Sequence, residues 1–212
     1  MKLVDLSVED FLNIVDSKSP APGGGSVSAL VSTLGCTLGR MVAHLTFDKK
    51  KYKELPLDEQ ENFTKSFEEL EKYRYLLEEL IDKDTEAYNL VMAAYKLPKE
   101  TEEEKLLRKE TIEKNLKLAI DTPMSICQIS EKALILLKSI LKNGNKNAIT
   151  DLGVAAILLY SGIEGGVLNV KVNLGGLSDE IFKKETLEEL DRVIKKSRIE
   201  RDEIMEVVNK SL

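Results

Sequence analysis

The sequence predicts an all-α fold: one helical domain over residues 1–212, a bundle with several long helices. Three observations predict it. Apolar residues recur three and four apart along most of the chain. Capping residues stand ahead of these runs, at Ser7, Thr101 and the Ser178-Asp179 pair. No stretch alternates apolar and polar positions with the β-branched enrichment of a half-buried strand.

The elements follow in order. Ser7 with Asp10 opens a short amphipathic helix carrying Phe11, Leu12 and Val15, which ends before Ser19. Ser19-Pro20-Ala21-Pro22-Gly23-Gly24-Gly25-Ser26 is then a stiffened approach followed by bare backbone. Ser26 reads as the N-cap of a helix over 27–47. The loop is either a tight turn or a cradle for an anion or polar ring edge at a helix start. Gly35, Gly39 and Ala43 repeat every four residues on that helix, beside Ser28, Ser32 and Cys36. Such rows let another helix backbone come close. The run Asp48 to Lys53 is a solvated basic loop, or one that attracts an acidic ligand tail.

A long helix follows, with Phe63, Phe67, Leu70, Arg74, Leu77, Ile81, Asp84, Tyr88, Val91 and Tyr95 on a heptad-like seam. Arg74 and Asp84 break its apolar rule. They are ten residues apart, about 15 Å along a helix, too far to pair. A carboxylate on a packing face needs a partner. That partner is a neighbouring helix, water at an exposed end, or a substrate. Asp82 faces elsewhere, so the two do not form an acid/base dyad.

Pro98 stops this helix, and Thr101 with Glu104 forms a capping box for the next, to about residue 120. Thr122-Pro123 begins another, closed by Gly144 in a left-handed C′ position. Asn147 or Thr150 caps a helix over 151–173 that is rich in Gly and Ala. Interior glycines cost about 1 kcal/mol each against Ala, so close approach is required there. Asn169 and Asn173 share one face, for C-terminal capping or for a ligand. Ser178-Asp179-Glu180 starts the last helix.

Composition excludes several functions. The net charge is −6 and Lys is mixed with Glu throughout, which gives no nucleic-acid groove. Only two cysteines are present, so neither a disulfide framework nor a thiolate metal cluster is expected, and a reducing cytoplasm is the expected setting. His44 is the sole histidine, which removes a Ser-His-Asp triad and a multi-histidine metal site. It reads as a packed or interface residue. No signal peptide is seen at the N-terminus, and the apolar run 27–45 is broken by Ser, Thr, Gly and Arg40, so no membrane span is expected. The glycine loop fits neither a dinucleotide fingerprint nor a Walker A loop.

Four ordered segments carry a resemblance: SPAPGGGSVSALVSTLG at 19–35, DKDTEAYNLVMAAYKLPK at 82–99, GNKNAITDLGVAA at 144–156 and GVLNVKVNL at 166–174. With them the chain resembles the formiminotetrahydrofolate cyclodeaminase and methenyltetrahydrofolate cyclohydrolase family. The resemblance implies a helical homodimer with the folate site near the subunit interface. It implies Asp84 as catalytic acid/base, and Gly23, Gly24, Gly25 and Ser26 at the folate. It also carries over Asn145, Asn147, Asp151, Asn169 and Asn173 as substrate-binding residues. His44 departs from the family, where Asn or another polar residue is common. The implied activity is cyclodeaminase, giving 5,10-methenyltetrahydrofolate and ammonia. The alternative is cyclohydrolase, giving 10-formyltetrahydrofolate; a non-catalytic helical dimer is the third reading. No metal is implied, and no cofactor beyond the tetrahydrofolate substrate, with or without a polyglutamate tail. A formiminotransferase is the expected protein partner.

Overall fold

Small side chains decide how this bundle is assembled. The computed structural model describes residues 2–212, which contain seven α-helices and no strand. They are α1 (Val8–Val15), α2 (Gly24–Phe47), α3 (Lys50–Lys53), α4 (Leu57–Tyr95), α5 (Glu102–Asn143), α6 (Ile149–Leu174) and α7 (Glu180–Lys210). Helix α2 lies at the centre, packed on α4, α5 and α6, and α7 covers α5 and α6. The glycines explain the close fit. A Cβ at Gly35 would run into Leu159 and the Ala155 carbonyl of α6, and one at Gly162 into Ser32 of α2. At Gly166 it would strike Cys127 of α5. The helix-weakening residues therefore sit where two helix axes come too near for a side chain.

Two apolar clusters result. The larger joins Phe63, Leu70, Leu77, Leu134, Leu137 and Leu159. The smaller, built around Val91, Ile120, Ile163 and Leu190, stands under the other end. The heptad seam of α4 supplies both. Its Arg74 is held at the edge by Glu78 at 2.6 Å. Asp82 points away and accepts the Leu3 N–H at 2.6 Å, pinning a 3₁₀ turn, Leu3–Asp5.

Several boundaries differ from the sequence reading. Helix α2 begins at Gly24 with Gly23 as N-cap, so Ser26 is inside its first turn. The run after Asp48 folds into the single turn α3. Helix α5 continues through Pro123 instead of breaking. Proline cannot bond the carbonyl four residues back, and here the Asn173 amide takes that orphaned Ala119 carbonyl at 2.7 Å. Gly144 has φ −70°, not a left-handed value; a side chain there would meet the Ile140 carbonyl. Neither Asn147 nor Thr150 caps α6. A 3₁₀ turn, Lys146–Ala148, leads in, and the Asn145 side chain accepts the Asn147 N–H at 3.1 Å. Helices α2 and α6 are long and apolar enough to cross a membrane by length and composition, and more than half of the most apolar 18-residue window of each is buried within the bundle.

Candidate active site

The first turn of α2, the last third of α4 and the C-terminal half of α6 converge on one cleft of about 490 Å³. Pro20, Ala21, Gly23 and Gly24 form one wall. Tyr88, Met92 and Tyr95 of α4 form the wall opposite, with Leu116 and Ala119 behind them. Asn169, Val172 and Asn173 of α6 close the third side. The volume and the mix of aromatic walls with a few polar groups suit a small flat ligand.

Among the described residues Asp84 is the sole charged one lining this cleft, and no cation meets its carboxylate. Instead the Ser26 N–H, an unpaired donor of the first turn of α2, bonds Oδ2 at 3.0 Å. Burial pushes the Asp84 carboxyl above the ordinary aspartate range, against the opposing pull of the Ser26 N–H and hydroxyl. A carboxylate in that condition exchanges a proton nearer neutral pH than an exposed aspartate does.

The two asparagines have their amide groups engaged. Asn169 donates to the Gly165 carbonyl at 2.8 Å and Asn173 to that of Ala119. Among the described residues neither side-chain carbonyl oxygen receives a hydrogen bond, so each remains an acceptor. Asn169 also lies against Gly24: a Cβ there would come 3.2 Å from its Nδ2.

Of the residues singled out in the sequence, Gly23, Gly24, Asp84, Asn169 and Asn173 are thus brought together. Gly25 and Ser26 stand directly behind Asp84 and do not line the cleft. Asn145, Asn147 and Asp151 lie at the other end of α6. Asp151 and Asn169, eighteen positions apart, are separated by about 27 Å of helix. There Asn145 ties down the end of α2, its N–H donating to the Thr46 hydroxyl at 2.9 Å. His44 is exposed and sets its ring edge-on to Phe67. In the sequence Tyr88, Met92 and Tyr95 stand out only as seam or helix positions, although Tyr88 lies one turn beyond Asp84 on the same face.

The chain is similar to proteins named as folate one-carbon enzymes. The chain is 38% identical to the methenyltetrahydrofolate cyclohydrolase of Methylorubrum extorquens over 202 residues, 95% of either chain. It is 30% identical over 196 residues to the formimidoyltransferase-cyclodeaminase of Rattus norvegicus, of which it spans 36%. The crystal structure of formiminotetrahydrofolate cyclodeaminase from Thermotoga maritima superposes with a TM-score of 0.85 at 31% identity, covering 97% of this chain and 96% of that one. The sequence profile described as formiminotransferase-cyclodeaminase matches residues 7–192. The chain belongs to that family.

Proposed function

We propose that this enzyme acts on the carbon bridging N5 and N10 of tetrahydrofolate, with Asp84 as its one proton carrier, and that its main reaction is the cyclohydrolase one. The observation that carries the chemistry is a carboxylate in the cleft bonded through one oxygen only. In the cyclohydrolase reaction water adds to the cationic methenyl carbon and Asp84 takes the proton released. The carbon–N5 bond then breaks as Asp84 returns that proton to N5, while the new hydroxyl loses its own proton to water, leaving the formyl group on N10 and one proton released overall. A negative carboxylate beside the cation also stabilises it on approach. The asparagine oxygens and the tyrosine wall would hold the pterin in place. The identity to the Methylorubrum enzyme over nearly the whole of both chains favours this reaction.

Cyclodeaminase is the second reading, favoured by the Thermotoga likeness over equally complete chains. There N10 attacks the carbon of the protonated formimino group, Asp84 takes the N10 proton and passes it to the leaving nitrogen, and ammonia departs to leave the methenyl cation. One preparation separates the two. Loss of methenyltetrahydrofolate absorbance well above the uncatalysed rate, with no ammonia from 5-formiminotetrahydrofolate, is expected. Ammonia release with no methenyl hydrolysis would reverse the order, and neither activity would end both.

A homodimer fits the same reading. Val27, Val31, Leu34, Leu38, Met41 and Leu45 run along the outer side of α2 at alternating four- and three-residue steps. Leu168 and Val172 of the adjoining α6 are exposed and extend this face to the cleft. Two helices some 35 Å long and about 10 Å apart present roughly 700 Å² per copy, close to a standard interface. Sedimentation should give a dimer, with Leu34→Glu and Leu45→Glu together giving a monomer.

A further inference from the structure

Gly25 and Ser26 look like part of the ligand wall in the sequence, yet both face away from the cleft. Ser26 is fully buried. Its hydroxyl donates to the Ile81 carbonyl at 2.7 Å and meets the Thr85 hydroxyl at 3.1 Å. Ile81 and Thr85 flank Asp84 on α4. The hydroxyl therefore bolts the first turn of α2 onto the turn of α4 that carries the carboxylate. The longer approach of the same hydroxyl to Asp84 Oδ2, at 3.4 Å, is secondary. Gly25 acts by what it lacks. The space a Cβ would fill is taken by the Asp84 carboxylate itself, both oxygens and the carbon. Without a side chain at 25 the carboxylate can settle against the helix end and accept the Ser26 N–H. Among the described residues no group bonds Oδ1, which is left for a proton from the cleft.

We propose that Gly25 and Ser26 are positioning residues: they clamp Asp84 through Oδ2 so that Oδ1 serves the reaction, and they do not touch substrate. This rests on Asp84 being the proton carrier of the proposed function. Gly24, one residue earlier, is the internal control because it lines the cleft.

The test compares Gly25→Ala, Ser26→Ala and Gly24→Ala in the full-length protein, each checked for native helicity and melting. The activity is whichever folate reaction the wild type shows. Gly25→Ala and Ser26→Ala should lower kcat about tenfold or more with KM changed less than about twofold, since they displace the carboxylate and not the ligand. The acid limb of their kcat–pH profiles should also move. Gly24→Ala should raise KM with kcat retained. A KM rise with unchanged kcat in the Gly25 and Ser26 variants would make them substrate contacts and overturn the proposal; a loss of thermal stability alone, with wild-type kcat and pH profile, would do the same. If Gly25→Ala does not fold, Ser26→Ala decides, because it keeps the backbone N–H. A wild type inactive in both assays would defeat the functional reading only. Carbon-13 titration of the Asp84 carboxyl then tests the clamp, and an unmoved midpoint in Ser26→Ala overturns it.

Discussion

Asp84 and Glu131 are both carboxylates on helix-packing faces, and the protein treats them in opposite ways. Glu131 on α5 is almost entirely buried. Arg192 of α7 grips both its oxygens, at 2.8 and 2.9 Å, and Lys196 adds a third contact at 3.4 Å. Arg192 is steadied in turn by Glu189, whose carboxyl it holds below the ordinary glutamate range. Asp84 is half-buried, meets no cation among the described residues, and is held by the Ser26 N–H. A carboxylate with all its acceptors filled by cations fastens two helices and has nothing left to exchange. One held by a neutral donor, partly desolvated, keeps an open oxygen and a raised affinity for a proton. The first arrangement fastens two helices; the second leaves an oxygen open to chemistry.

Neutralising each in turn should separate them, and Asp84→Asn has the largest expected effect. Activity should fall about 10²-fold or more, because an amide cannot carry the proton. The fold should not suffer, since the asparagine oxygen still accepts the Ser26 N–H. The sign with pH follows from the raised carboxyl. Asp84 favours the folded state when protonated, and that contribution fades as pH rises through its elevated folded-state value. At pH 7 the Asn variant should therefore melt at or above the wild type. The gap should close below the ordinary aspartate value of 3.8. A melting point lowered by several degrees at pH 7, or turnover near wild type, would place Asp84 with Glu131 as a structural carboxylate.

Glu131→Gln should give the reverse pattern. It leaves the Arg192 guanidinium with half its partner. Nearly half of the Arg192 side chain is solvent-exposed, at 47%, so water compensates in part. The cost should be about 2 kcal/mol, below that of breaking a fully buried pair. Denaturant unfolding measures it. Turnover per folded molecule should stay at wild type, and a tenfold loss there would mean that the α5–α7 clasp also shapes the cleft.

The sequence carried one side of this contrast far better than the other. Asp84 was visible because it interrupts an apolar period, and a broken pattern is a local signal. The glycines of α2 and α6 were visible as a cost in helix propensity that some close contact had to offset. Glu131 left no trace: it sits among the many Glu and Lys residues of α5, and only Arg192, sixty-one residues away, makes it special. Ser26 shows the same limit. Its type suits an N-cap, but the cap lies three residues earlier, and the hydroxyl is spent on α4. Pro123 misled for a related reason. A proline within a helix is a local defect, and the group that repairs it comes from α6.

That repair yields the smallest predicted effect and the finest division between holding the fold and shaping the cleft. Asn173 lines the cleft and bonds the Ala119 carbonyl through its amide, which leaves its side-chain oxygen without a donor among the described residues. Asn173→Ala should cost about 1 kcal/mol of stability, the worth of one hydrogen bond, and raise KM modestly. In a Pro123→Ala background residue 123 regains an N–H, and α5 can satisfy Ala119 by itself. The stability cost of Asn173→Ala should then fall to about half or less, a coupling that a double-mutant cycle resolves. The KM effect should persist, because it belongs to the oxygen and not to the amide. Equal stability costs in both backgrounds would show that Asn173 does not repair the proline. A KM effect that vanished with the coupling would show instead that the asparagine serves the cleft only by keeping α5 intact.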